Sequence, residues 1–291
     1  MTAGLKRSWT GYLYLAPYGT AFALFVALPF VVSLALAFCQ YDLTTQRPPK
    51  FVGMRNFTEA LTDAFFWKAV GVTFRYVIWI LPTQIILSML LALGMNAMTG
   101  GQRTVRALLF LPGMFSIAVT GILWQWFYNV EFGLFTFLLK KVGLSAIPFL
   151  SSKSLAMPSI VFMTLWWTVG GSAAVLLTGL QQIPAQINEA ARIDGANAWQ
   201  RFWGITLPML KPVLLFMVVM NTIGAFQMFA QAYILTAGGP EMTTRGVVSL
   251  IYDTAFADYR LGYGAAISWL LFLIIATVSL IQYGIIRKVA D

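Results

Sequence analysis

The residues that could do chemistry in this chain are neutral ones set in apolar runs. Thr164, Trp167 and Thr168 lie in one such run; Asn221, Gly224, Gln227 and Gln231 lie in the next. Amides and hydroxyls donate and accept hydrogen bonds, and aromatic faces stack on C–H groups. Together they suit a neutral, hydroxyl-rich solute such as a sugar. The alternative use is hydrogen bonding between helices, at about 0.6 to 2 kcal/mol per bond. Bond-making chemistry is poorly provided for. There is no histidine, which removes the commonest general base and the usual Ser–His and Cys–His arrangements. The dipeptide Gly-Lys does not occur, so the chain has no GxxxxGK(S/T) loop to cradle ATP phosphates. One cysteine, Cys39, excludes an internal disulfide and a multi-cysteine metal site, and it reads as an ordinary apolar-span residue. The expectation is a chain that is not an enzyme and holds no metal or cofactor.

Composition says where these residues must sit. Of 291 residues, 59% are hydrophobic and 10% charged; a soluble domain carries about 25% charged residues. The apolar runs predict an all-α polytopic membrane protein, one domain over 1–291, with six transmembrane helices at about 12–40, 76–96, 107–127, 155–180, 213–235 and 263–286. The run after Lys6 and Arg7 is too long for the core of a cleaved signal. A net charge of +9 suits lipid headgroups, and no basic run with interleaved aromatics points to nucleic acid. Residues 57–67 read as an amphipathic helix on the membrane surface. No carboxylate falls inside a run, which argues against proton coupling. Asp253 and Asp258 read as solvated loop residues, and Gly170–Ala174 as a small-residue patch for helix packing.

The stretch Glu189–Pro212, EAARIDGANAWQRFWGITLPMLKP, is too charged for hydrocarbon. Ile183-Pro184 opens a short helix on which Ile187, Ala190, Ala191 and Asp194 share one face. Gly195 ends it in the left-handed conformation. A second helix is expected over 196–203, with Leu207-Pro208 and Lys211-Pro212 turning the chain into the next apolar run. A loop over 184–212 therefore joins the fourth and fifth spans.

This loop resembles the EAA loop of bacterial ABC-importer permeases. Glu189-Ala190-Ala191, Gly195, Ile205 and Leu207-Pro208 fit each fixed position of that pattern. FVGMRNF at 51–57, ALLFLPGMFS at 107–116 and NTIGAFQMFAQAYILTAGGP at 221–240 extend the likeness to nearly the whole chain. They resemble carbohydrate-uptake members of the MalF/UgpA type. The resemblance implies a type I importer permease that forms half of a solute pathway. A second, MalG-type permease would complete it, two ATPase subunits would bind ATP and Mg, and an extracytoplasmic solute-binding protein would deliver the solute. Glu189, Ala190, Ala191, Asp194 and Gly195 would couple to the ATPases, and the pathway would draw on the spans flanking the loop. It also implies a bacterial inner-membrane location with termini and EAA loop cytoplasmic, a point that Lys and Arg counts leave close to a tie. The alternative reading is a stand-alone carrier or channel for a small neutral solute.

Overall fold

The computed structural model describes residues 2–44 and 48–290, and side chains within residues 12–285. In chain order the helices begin with α1 (Thr2–Phe22), α2 (Leu28–Ala37), α3 (Arg55–Thr62), α4 (Ala64–Ala97), α5 (Gln102–Met114), α6 (Ile117–Phe127) and α7 (Leu134–Lys141). They continue with α8 (Ala156–Gln181), α9 (Ala185–Ile193), α10 (Ala198–Arg201), α11 (Leu207–Phe226), α12 (Ala230–Thr236), α13 (Val247–Tyr252) and α14 (Leu261–Ala290). The described strands β1 (Cys39–Gln40) and β2 (Lys50–Phe51) form one antiparallel ladder. Among the described residues five helical stretches are long and apolar enough to span a membrane, or six if the pair α5–α6, bent by 95°, is one broken span.

Two widened turns accommodate two of the prolines that sit inside spans. The Leu28 N–H reaches back five residues to Ala23, and the Leu207 N–H to Phe202. In each case a proline follows at once, Pro29 or Pro208. Its ring would crowd the carbonyl four residues earlier, and a π turn there makes room. The helix therefore runs on from Ala198 to Phe226 as one span. The expected turn at Leu207-Pro208 and Lys211-Pro212 does not form.

The chain divides into two compact units. The first is Met1–Phe66 with Ile251–Phe272. Its first span ends at Ala37, short of the expected residue 40. Cys39 lies beyond it, paired with Phe51 in the ladder, so the span placement expected for Cys39 is corrected. The cause is Asn56, which is buried and donates its amide to the carbonyls of Ala37 and Cys39 at 2.9 Å each. Those carbonyls would otherwise be unsatisfied at a helix end. The expected helix over 57–67 is also interrupted: Asp63 leaves the helical conformation, and its carboxylate accepts the Phe65 N–H at 2.8 Å. Asp63 thus closes α3 and starts α4.

The second unit is Trp67–Leu250 with Leu273–Asp291. Its core is a layer shared by α4, α8 and α11: Met89, Ala92 and Met95 pack with Ala173, Leu176, Leu177 and Leu180, and with Leu210 and Met217. Gly170 brings α8 against the backbone of α5, because a Cβ there would collide with the Leu109 carbonyl. The third span, expected to be continuous over 107–127, breaks at Phe115–Ser116. Both residues are extended, and the Ser116 hydroxyl caps α6 by accepting the Val119 N–H. The fifth span ends at Phe226, and Gln227–Phe229 break it before α12.

Candidate solute pathway and EAA loop

A cavity of about 570 Å³ lies among α4, α5, α8, α11 and Gln231 of α12. Thr164, Trp167, Thr168, Asn221, Gly224 and Gln231 all line it, and Gln227 does not. Gln227 follows the last residue of α11, where the helical spacing that aligned it with Gln231 no longer holds.

What each residue can offer depends on what it already bonds. The Thr164 hydroxyl donates to the Ile160 carbonyl at 2.8 Å and the Thr168 hydroxyl to the Thr164 carbonyl at 2.7 Å. Their donors are therefore spent on their own helix, and only oxygen lone pairs remain for a ligand. The Trp167 indole N–H donates to the Phe115 carbonyl at 3.0 Å. It satisfies a backbone group freed by the broken span, leaving its ring face for stacking. Non-helical backbone at membrane depth is tolerated where it lines a cavity, and Gly113 and Met114 beside the break do so. Asn221 differs: its Nδ2 is buried and has no hydrogen-bond partner. Leaving such a donor unmet costs about 1 to 3 kcal/mol. An acceptor oxygen on a bound solute would recover that cost.

The polar types of α8 and α11 mark only part of the cavity wall; α4 and α5 add to it. Tyr76 of α4 is fully buried, and its hydroxyl reaches the Thr164 and Gln231 side chains. Gln84 of α4 donates to the Ser172 hydroxyl at 2.9 Å. Gln84 was visible as an amide in mid-run. Ser172 was hidden in a patch read as packing, which the structure splits: Gly170 and Ala173 pack, while Gly171 and Ser172 line the cavity.

The EAA loop joins α8 to α11. α9 ends as its sequence dictates. Gly195 takes φ +82°, its N–H bonds the Arg192 carbonyl at 3.1 Å, and the Ala196 N–H bonds the Ala191 carbonyl at 2.9 Å. This is a complete Schellman turn. Two residues on, Asn197 and Gln200 exchange side-chain and backbone bonds at 2.8 and 2.9 Å in a capping box. α10 is shorter than the expected helix over 196–203 and merges into the π turn. No residue of α9 is buried: Glu189, Ala190 and Asp194 are exposed and Ala191 is half-buried. Ile193 is 87% exposed and Trp199 69%, so this loop presents apolar side chains that the described residues leave largely open.

Residues 64–291 match the family of binding-protein-dependent transport system inner membrane components. The chain belongs to that family. This permease is 34% identical to the trehalose/maltose transport system permease protein MalF of Thermococcus litoralis, over 99% of this chain and 97% of that one. It is 31% identical to the sn-glycerol-3-phosphate transport system permease protein UgpA of Brucella abortus, covering 95% and 94%. The fold matches a chain from the crystal structure of a bacterial ABC transporter that imports the acidic polysaccharide alginate. The TM-score is 0.88 at 22% identity, over 99% of both chains. The permease is thus a multi-pass inner-membrane subunit of an importer of this class, and ATP hydrolysis in such systems belongs to separate subunits.

Proposed function

We propose that this permease forms half of the pathway for a sugar or a related hydroxylated solute, and that the EAA loop receives the force that opens and closes it. The observation carrying this is that α8 and α11 line the cavity and also hold α9–α10 between them. A push on the loop therefore acts directly on two walls of the cavity. The exposed Ile193 and Trp199, beside the flat Ala190/Ala191 surface, suit insertion into a cleft of an ATPase subunit. The loop and termini then face the cytoplasm, and both compact units belong to one permease domain over 1–291. A MalG-type permease supplies the second half, two ATPases bind ATP and Mg, and a binding protein delivers the solute. A sugar is favoured by the lining: neutral amides, hydroxyl lone pairs and an indole face, with no charged side chain. The relatives' named solutes are chiefly sugars and their derivatives.

The test is uptake by the full complex, reconstituted in vesicles with its binding protein and ATP inside. ATP-dependent accumulation of a sugar that the binding protein takes up in a thermal-shift screen supports the reading. Uptake by the single purified permease, driven by an ion gradient, would favour the stand-alone carrier instead.

A further inference from the structure

A second, larger cavity of about 980 Å³ lies on a different face of α4 from the first. The first takes Tyr76, Ile80 and Gln84; the larger one takes Ile85, Ile86, Met89, Leu90, Leu93 and Asn96. At 3.6 residues per turn these two sets point to opposite sides of the helix, so the larger cavity stands apart from the solute pathway. Its walls come from the loop-side ends of three helices: the last turns of α4, Leu180 and Gln181 closing α8, and Leu207 and Leu214 early in α11. The rise along α4 from residue 85 to 96 is about 17 Å, close to one leaflet of a hydrocarbon core about 30 Å thick. The apolar end is open to the surroundings of the span, with Ile86 59% exposed and Leu90 60%. The loop end is polar and cationic: Arg192 and Arg201 line it together with one carboxylate, Glu189, and the indole of Trp203. The Arg201 guanidinium is fixed in place, donating to the Ala196 carbonyl at 2.7 Å. Among the described residues neither arginine has an ion-pair partner.

We propose that this cavity holds an anionic phospholipid of the leaflet on the loop side, with its phosphate on Arg192 and Arg201 and an acyl chain along residues 85–93 of α4. The proposal goes beyond the permease reading and takes from it only that the spans cross a membrane. The lining passes from apolar to cationic within the depth of one leaflet, as a lipid does from chain to headgroup. Two guanidiniums against one carboxylate leave the loop end positive. A guanidinium presents a planar fork of donors that matches two phosphate oxygens, and basic pockets between spans bind anionic headgroups. Trp203 stands at the level where indoles meet headgroups. A neighbouring subunit seated here would instead have to bring its own carboxylates to both arginines, since a buried guanidinium left unpaired is strongly unfavourable. A lipid in this cavity bridges α10 to α4, so the position of the loop answers to the headgroup composition of the membrane.

The test uses the assembled complex in vesicles that carry a trace of phosphatidylglycerol or of phosphatidylcholine, each with a photoreactive diazirine in its acyl chain. After irradiation, the labelled residues are mapped by peptide mass spectrometry. The phosphatidylglycerol probe should label residues 85–93 about tenfold more than the phosphatidylcholine probe, the factor for one charge-assisted hydrogen bond. Arg192→Gln with Arg201→Gln should bring the two probes level, and lysine at both positions should keep most of the preference. Added inorganic phosphate should leave the labelling unchanged; competition by it would put a free phosphate in the site and overturn the proposal. Equal labelling of the wild-type complex by the two probes, a comparison that needs no variant to fold, would reduce the cavity to ordinary lipid-facing surface and overturn it. So would residues 85–93 left unlabelled by both, because a neighbouring subunit would then cover them. ATP-driven uptake is scored on the same vesicles. Accumulation of solute with no headgroup preference counts against the lipid site alone, and a headgroup preference without accumulation counts against the permease reading alone.

Discussion

The EAA loop and the cavity wall sit at different points of the same two helices, and they are built in opposite ways. The loop is held by bonds between residues within six positions of one another: the Schellman turn at Ala191–Ala196 and the capping box at Asn197–Gln200. The wall is held by bonds that cross long stretches of chain: Gln84 to Ser172 and Trp167 to Phe115. On the proposed function the loop is a lever that keeps its shape while its surroundings move, and local bonds travel with it; the wall would change shape between states, and single bonds between helices can be exchanged at low cost.

Substitutions can break this contrast or sharpen it. The largest effect is expected for Gly195→Asp. A side chain at φ +82° costs about 1 to 2 kcal/mol, and the loop loses its turn. Uptake should fall about tenfold or more for that strain, while the subunits still co-purify and the ATPases still turn over. Normal uptake by this variant would remove Gly195 from the coupling role. Asn221→Leu comes next. Losing its amide should raise KM for the solute by up to about tenfold, as expected for one hydrogen bond of about 0.5 to 1.5 kcal/mol, with ATPase stimulation by the binding protein intact. An unchanged KM would mean that Asn221 does not meet the solute. Asn197→Ala removes a cap worth about 1 kcal/mol. Faster amide exchange confined to Ala198–Arg201, with a partial loss of uptake, would show that the lever's stiffness is local. The smallest effect is expected at Gln84→Leu, where a bond of about 0.6 kcal/mol is lost. Thermal stability of the complex should barely change and KM should shift modestly; a large loss of stability would make Gln84 a strut of the fold and weaken its place in the wall.

The same contrast explains what could be read in advance. The left-handed Gly195 was visible because only glycine takes that conformation freely, and it stands where the helical pattern stops. The cavity residues on α8 and α11 were visible as polar types in apolar runs. Gln227 falls outside this cavity because the helix ends at Phe226, and a helical pattern continued past a helix end no longer gives the face. The break in the third span was missed because Pro112, Gly113 and Ser116 in an apolar run are compatible with a kink, a bend or a continuous helix. Trp167, more than fifty residues later, supplies the donor that makes the break affordable.

The sequence by itself determined the membrane class, the apolar helices, the position of the EAA loop and the turn at Gly195. Each of these depends on residues close together in the chain, or on a summed apolar content that no packing can reverse. Tertiary structure alone decided that Tyr76 and Gln84 join the cavity, that the third span breaks with a 95° bend, and that two methionines from α4 and α11 share one buried layer. Those outcomes depend on which helix faces which, and contacts between helices leave no periodic mark in either sequence.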